Sequence, residues 1–386
     1  MPALPEILAF ADDMTALRRD FHSHPEIGFQ ETRTSGVVAE KLASYGVKVH
    51  RGIGGTGVVG VLKGSGGPGR TIGLRADMDA LPIVETTNLP WRSTNSGVSH
   101  ACGHDGHTTM LLGAARYLAE KRDFPGTAVF VFQPAEEGLG GARAMIADGL
   151  FEKFPVDEIY GLHNDPYLEP GEISVFPGPA MAAADFFDVK IVGSGSHAAM
   201  PQMSRDPVVA ASALVMALQS IVSRNANPFE SLVLSVTQVH SGSAYNVIPE
   251  EAALTGTIRA FDPTMMELAR KRMKEICAGV AATYAVEVTL DLRDVFDVLI
   301  NTESETAAMA EAARDIVGDT GLITRPRPMM GSEDFADMLR KAPGCYARVG
   351  HSGDLPLHNP GFVLDDAILP VGASLLARIV ERRLAA

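Results

Sequence analysis

Apolar residues recur at two different spacings along this chain, and the changes of spacing divide it into segments. Ile7, Phe10, Met14, Leu17 and Phe21 return at steps of three and four, which predicts an amphipathic first helix. It should stop near His22-Ser23-His24-Pro25, because a proline pushes the residue before it out of helical backbone. A second helical stretch, 32–45, leads to Val47-Lys48-Val49, a glycine run at 52–57, and Val58-Val59-Gly60-Val61-Leu62. No Gly-Lys-Ser/Thr and no dinucleotide fingerprint follows those glycines, so they read as a hairpin turn and not as a phosphate loop. Thr71-Ile72-Gly73-Leu74, the run 127–132 and Glu158-Ile159-Tyr160-Gly161-Leu162 are short and nearly all apolar, as strands buried on both faces are. Helical patterns fill the intervals at 108–121 and 141–147.

From Ala184 the pattern changes. Strands at 186–192, 232–236, 252–259 and 286–292 alternate with helices at 207–224 and 263–284, in the order βαββαβ. Both helices open on Asp-Pro (Asp206-Pro207 and Asp262-Pro263), an N-cap followed by the residue suited to the first helical position. Beyond Ile300 helix and strand alternate again, ending in a helix at 372–383. A chain of 386 residues exceeds what one core usually serves. The expected architecture is α/β. Residues 1–183 and 297–386 form a domain with a mostly parallel central sheet flanked by helices, and 184–296 form an inserted ferredoxin-like module.

Charge and cysteine usage narrow the partners. With 33 basic and 47 acidic side chains the formal net charge is −14, which argues against nucleic acid or an anionic membrane surface. Three widely spaced cysteines do not make a disulfide framework and fit a reducing compartment. The N-terminus lacks the basic start and apolar core of a signal peptide, and the run 208–222 is too short and too polar to span a bilayer. A cytoplasmic location is expected.

The chemistry concentrates in Ser99-His100-Ala101-Cys102-Gly103-His104-Asp105-Gly106-His107. Cys102 and His104 are two apart, so an extended loop turns both toward one side, where a thiolate and an imidazole suit a transition metal. Asp105 and Gly106 then occupy the expected N-cap of the helix that follows. A histidine-rich loop can also be a solvated turn, but the neighbouring strand ends argue otherwise. Asp77 and Asp79 follow one strand, Glu136 and Glu137 the next, and His163 a third, on the sheet edge where open α/β folds place their sites. Adjacent carboxylates on extended chain point opposite ways, so one of Glu136 and Glu137 can hold a metal while the other faces substrate. His22 and His24, at a helix end, are expected to be structural. His358 stands alone in sequence and would complete the set.

Taken together these segments resemble the M20 metallopeptidase family, in its amidohydrolase branch of hippurate hydrolases and N-acyl-amino-acid deacylases. The resemblance spans roughly Leu17 to Gly372. It is carried by Leu74-Arg75-Ala76-Asp77-Met78-Asp79-Ala80-Leu81-Pro82, the Cys102–His104 loop, Gln133-Pro134-Ala135-Glu136-Glu137 and Gly161-Leu162-His163-Asn164. Further along come Gly195-Ser196-His197-Ala198-Ala199-Met200-Pro201, Asn246-Val247-Ile248-Pro249, Gly331-Ser332-Glu333-Asp334-Phe335 and Leu357-His358-Asn359-Pro360. The resemblance implies a domain binding two divalent ions (Zn, Mn, Co or Ni), and an insertion serving as lid and dimerisation surface of a homodimer or homotetramer. By motif the ligands are Cys102, His104, Glu137, His163 and His358, with Glu136 as general base. Five side chains are too few for two separate four-coordinate ions, so a shared thiolate is implied. Asp79, and Asp77 with it, would orient ligands from behind. Asp165-Pro166-Tyr167 stands where the branch commonly has Trp-Pro-Gly, which bears on the shape and charge of the acyl pocket.

The implied reaction is hydrolysis of the amide of an N-acyl-amino acid. His197 would stabilise the oxyanion, and Arg259 with Asn246 would bind the substrate carboxylate. The default for Arg259 is a solvated strand charge. A metallo-exopeptidase, carboxypeptidase or dipeptidase, differs only in pocket shape. A thiol hydrolase using Cys102 leaves Glu136, Glu137, His163 and His358 unexplained, and a non-catalytic metal-binding protein has no use for a carboxylate beside a ligand.

Overall fold

The computed structural model describes residues 1–324 and 327–385. Two compact units are present, Met1–Ala180 with Ile300–Arg327 and Asp334–Ala386, and Met181–Leu299 with Pro328–Glu333. The return of 328–333 to the second unit leaves no trace in the hydrophobic pattern. A short helix at Pro5–Leu8 carries Ile7, so the first helix read from the sequence is broken in two before Ala11. In chain order the first unit then continues with α1 (Ala11–Ser23), α2 (Thr32–Ser44), β1 (Lys48–Ile53), β2 (Gly57–Lys63), β3 (Thr71–Asp77), α3 (His104–Lys121), β4 (Thr127–Gln133), β5 (Glu158–Asp165) and β6 (Ile173–Ser174). The second holds β7 (Ala183–Val192), α4 (Pro207–Ser220), β8 (Leu232–Ser241), β9 (Glu251–Ala260), α5 (Pro263–Tyr284) and β10 (Glu287–Phe296). The chain then supplies α6 (Glu303–Gly321), β11 (Leu322–Ile323), β12 (Gly344–Gly350) and α7 (Leu369–Arg383) to the first unit.

The sheet of the first unit runs β1-β2-β4-β3-β5-β12-β6-β11. Its four central strands are parallel. On either side of them β2 runs antiparallel to β4, β1 to β2, and β6 to β12, while β11 runs parallel to β6. The sheet is therefore mixed, with the expected parallel strands at its centre and antiparallel pairs at its flanks. The connections explain this. Short loops join β1 to β2 and β5 to β6, and only an antiparallel reversal closes so briefly. In the first of these Gly54 and Gly55 take φ of 63° and 99°, the hairpin turn expected of the glycine run. Helix α3 is buried on nearly every side, with Met110, Leu111, Ala114 and Ala115 fully inaccessible, so it is fixed as a core helix. Each such side chain contributes about 1.5–3 kcal/mol if large and apolar.

The second unit is a four-stranded antiparallel sheet, β8-β9-β7-β10, with α4 and α5 covering one face. Burial alternates strictly along β9, as a half-solvated sheet requires. Asp206 accepts from the Val208 and Val209 amides and Asp262 from Thr264, so both Asp-Pro starts are capped. Helix α4 continues as a π turn through Asn225. The resulting 19 residues are long and apolar enough, by length and composition, to cross a bilayer, contrary to the shorter run read from sequence. Ala210, Leu214, Leu218 and Ile221 belong to the core of this unit, whereas Val208, Val209, Met216 and Val222 are exposed.

Candidate active site

The C-terminal ends of β3, β4 and β5 and the N-terminus of α3 build one cluster. Helix α3 begins at His104, with Gly103 as its N-cap at φ 89°. A Cβ at Gly103 would lie 2.4 Å from Asn164 Nδ2, so glycine is required for the loop to meet β5. The cap therefore falls two residues before the expected Asp105. Asp105 is buried inside the helix, where its carboxylate is 2.8 Å from His22 Nδ1 and accepts from Arg18 Nη1 at 3.4 Å. Burial opposes a charge on His22, yet Asp105 and Glu85 hold it up at about 9. His22 is thus structural through carboxylates and not through helix-end carbonyls; His24 Nδ1 does lie 2.8 Å from the Asp20 carbonyl.

Cys102 Sγ lies 3.5 Å from His163 Nε2, and His358 Nε2 lies 3.2 Å from Glu137 Oε1, which is 3.9 Å from His104 Nε2. The ligand-type atoms form overlapping groups, Cys102/His104/His163, Cys102/Glu137/His358 and His104/Glu136/Glu137, each within 4.8 Å. Cys102 is common to the first two. His358, alone in sequence, is held here by its amide, which donates to the Ala101 carbonyl at 2.8 Å. Its φ of 65° is a left-handed backbone that costs a non-glycine residue about 1 kcal/mol or more.

Buried groups behind the cluster set the ring orientations. Asp79 uses one oxygen on His104 Nδ1 (3.2 Å) and the other to accept the Glu137 amide (3.0 Å). His163 Nδ1 lies 2.6 Å from the Asn164 carbonyl. Asp77 binds His107 Nδ1 at 2.7 Å, and His107 Nε2 accepts the Asn164 amide at 2.9 Å. Arg75 joins Asp77, Gln133 and Asp334. The sequence reading gave no such role to His107, Asn164 or Arg75. The signal for His107 was present, since it lies three residues after His104 on the same helix face.

The donor set fits divalent cations. His104 Nε2 and Glu137 Oε1 are buried at the centre without a hydrogen bond among the described residues. Burial and the Glu137 carboxylate push the Cys102 thiol up, while burial and the His107 imidazole hold His163 well below the usual range. A thiol, a carboxylate and imidazole nitrogens that converge on one another are the donors of a transition-metal site, which favours thiolate and neutral imidazole.

His197, Asn246 and Arg259 all belong to the second unit. Ser196–His197 pairs with Val247–Ile248, and the Ala198 amide donates to the Asn246 carbonyl at 3.0 Å, so His197 and Asn246 share one exposed ribbon. Arg259, on β9, is not simply solvated: its Nη1 donates to the Met330 carbonyl (2.9 Å) and to Ser332 Oγ (3.1 Å). Asp165 brings no free charge, because it is buried against Arg348 Nη1 at 2.8 Å and accepts the Tyr167 amide.

The profile of peptidase family M20/M25/M40 matches residues 73–382. The hippurate hydrolase of Campylobacter jejuni is 42% identical over 384 residues, covering 100% of both chains. Thermostable carboxypeptidase 1 of Saccharolobus solfataricus is 35% identical, covering 95% of this chain and 94% of its own. Among solved structures, the Bacillus subtilis YXEP protein, a dinuclear metal-binding peptidase of the M20 family, superposes with a TM-score of 0.83 at 34% identity, covering 98% of this chain and 99% of its own. On the cluster, the profile and the full-length identity, the chain belongs to peptidase family M20/M25/M40.

Proposed function

We propose that this protein hydrolyses the amide bond of N-acyl-amino acids, releasing a carboxylic acid and a free amino acid. The observation that carries the reading is Glu136 beside Glu137 at the cluster of Cys102, His104, His163 and His358. Those four residues and Glu137 would hold two divalent ions, which when bound lower the pKa of water toward about 7 and polarise a carbonyl. Glu136 takes the proton from the attacking water as the new C–O bond forms, and returns it to the nitrogen as the C–N bond breaks. Asp79 keeps His104 and the Glu137 backbone in register for this step.

Arg259 retains guanidinium nitrogens with no hydrogen bond among the described residues, and with Asn246 it binds the substrate carboxylate. A panel of acylated amino acids, dipeptides and neutral amide analogues tests this. Acylated amino acids should be turned over fastest, and amidating the free carboxylate should lower kcat/KM about tenfold or more, with little further loss in Arg259→Ala. Preference for dipeptides would favour the exopeptidase reading that the carboxypeptidase relative supports. Equal losses in both enzymes would return Arg259 to its structural bonds alone.

The second unit, in this reading, is a ferredoxin-like lid and dimerisation module. Its βαββαβ order and the exposed Val208, Val209 and Met216 of α4 support that role. His197 then stabilises the oxyanion in a partner subunit's site, where one such donor contributes roughly 3 kcal/mol. Mixed Glu136→Gln and His197→Ala chains should regain part of the activity. Verified subunit exchange with no recovery would confine His197 to its own chain.

A further inference from the structure

The carboxylate of Glu31 lies on the loop before α2, far in sequence from every ligand, and is completely buried. Its two oxygens have two partners. One accepts the Thr56 hydroxyl at 2.5 Å and the other the backbone amide of Ala135 at 2.8 Å. Ala135 is the residue before Glu136, and its φ is 54°, a left-handed conformation that a Cβ makes unfavourable. Such backbone persists only where its surroundings hold it.

The rest of the turn is held as tightly. The Ala135 carbonyl accepts the Gly141 amide at 3.0 Å, and the Glu136 carbonyl accepts the Gly138 amide at 2.6 Å. On the far side of Glu136, the Glu137 amide donates to Asp79 at 3.0 Å. Glu136 is therefore flanked by two backbone amides, each gripped by a different buried carboxylate. Gly28 closes the near side, since a Cβ there would come within 2.9 Å of the Ala135 Cβ.

We infer that Glu31 is a positioning residue for Glu136: it holds the left-handed turn at Ala135 and thereby sets where the Glu136 carboxylate stands. This rests on the general-base role given to Glu136 above. Its effect is geometric, because among the described residues the Glu31 carboxylate bonds to the Thr56 hydroxyl and to backbone and to no ligand-type side chain. A shift of about 1 Å in a reacting group can cost on the order of 100-fold in rate.

The test compares Glu31→Ala, Glu31→Asp and Glu31→Gln in the metal-loaded full chain, reading kcat, KM, bound metal and hydrogen exchange of the amides of 134–138. Glu31→Ala should lose about 10–100-fold in kcat while KM moves less than about threefold, with metal content kept and exchange at Ala135 accelerated. Glu31→Asp keeps the charge but withdraws it by one methylene, and it should behave like Glu31→Ala; it also serves if the alanine variant does not fold. Glu31→Gln should stay within about threefold of the wild type, since the amide oxygen still accepts the Ala135 N–H and the amide nitrogen can donate to Thr56. Wild-type kcat with unchanged exchange in Glu31→Ala overturns the inference, and so does a glutamine variant as impaired as the alanine one. Should the wild-type chain hydrolyse no acyl-amino acid, it is the role of Glu136 that fails, and the exchange measurement still decides whether Glu31 holds the turn.

Discussion

Glu136→Gln is expected to lower kcat by about 10²–10⁴-fold, the usual worth of a positioned general base, while the protein stays folded and keeps its metal. The amide has the shape of the carboxylate but cannot accept the proton of the attacking water. Nothing in the backbone should change, because the amides on either side are held by Glu31 and Asp79 and not by the Glu136 side chain. Glu137→Gln should act differently. Its Oε1 lies among His104 and His358, so this variant should bind metal more weakly and lose activity by that route. Steady-state kinetics with metal content measured on the same samples separates the two. Metal loss in Glu136→Gln, with metal kept and turnover lost in Glu137→Gln, would mean that the pair has been assigned in reverse.

Removal of the ions should abolish hydrolysis, and a divalent ion should restore it. The same treatment should destabilise the first unit. A ligand at 100 times its Kd adds about 2.7 kcal/mol to stability, and at 1,000 times about 4.1 kcal/mol. The denaturant midpoint of the unit should fall on chelation, and His163→Ala or His358→Ala should bind less metal and respond less to chelator. A thiol nucleophile would give another pattern, with alkylation of Cys102 inactivating and chelation harmless. Burial and Glu137 push that thiol up, away from the thiolate a nucleophile needs. Full turnover in demonstrably metal-free protein would end the metal reading.

How much of this was legible in the sequence depended on whether the chemistry was local. Cys102, His104, Glu136, Glu137 and His163 stand at the ends of apolar runs, and a buried strand must deliver its terminal residues to one sheet edge. His358 carries no such context, and it was placed with the others as the histidine that would complete an unfinished set and by its likeness to a family motif. Glu31 was invisible because a lone glutamate in a polar loop looks solvated until the partner amide, over a hundred residues away, is known. Asp105 misled for the opposite reason. It looks like a cap, but His22 and Arg18 from α1 draw its carboxylate inward. Strand direction at the sheet flanks was missed because an apolar run records burial and not polarity of the chain. The second sheet showed itself more fully, since half-exposed strands alternate and the Asp-Pro caps mark both helix starts.

The placement of β12 has a consequence for the newly made chain. That strand lies inside the sheet between β5 and β6, yet it is among the last elements to be synthesised. His163 and His358 are separated by 358 − 163 = 195 residues, an interval of roughly 10–40 s at ordinary translation rates. Throughout that time β5 has one unpaired edge and α3 lacks the cover of α7. The second unit is nearly continuous in sequence, so it can complete its own sheet on the ribosome while the first waits. The cluster of Cys102, His104, Glu137 and His163 therefore gains His358 only after nearly all of the chain has been made.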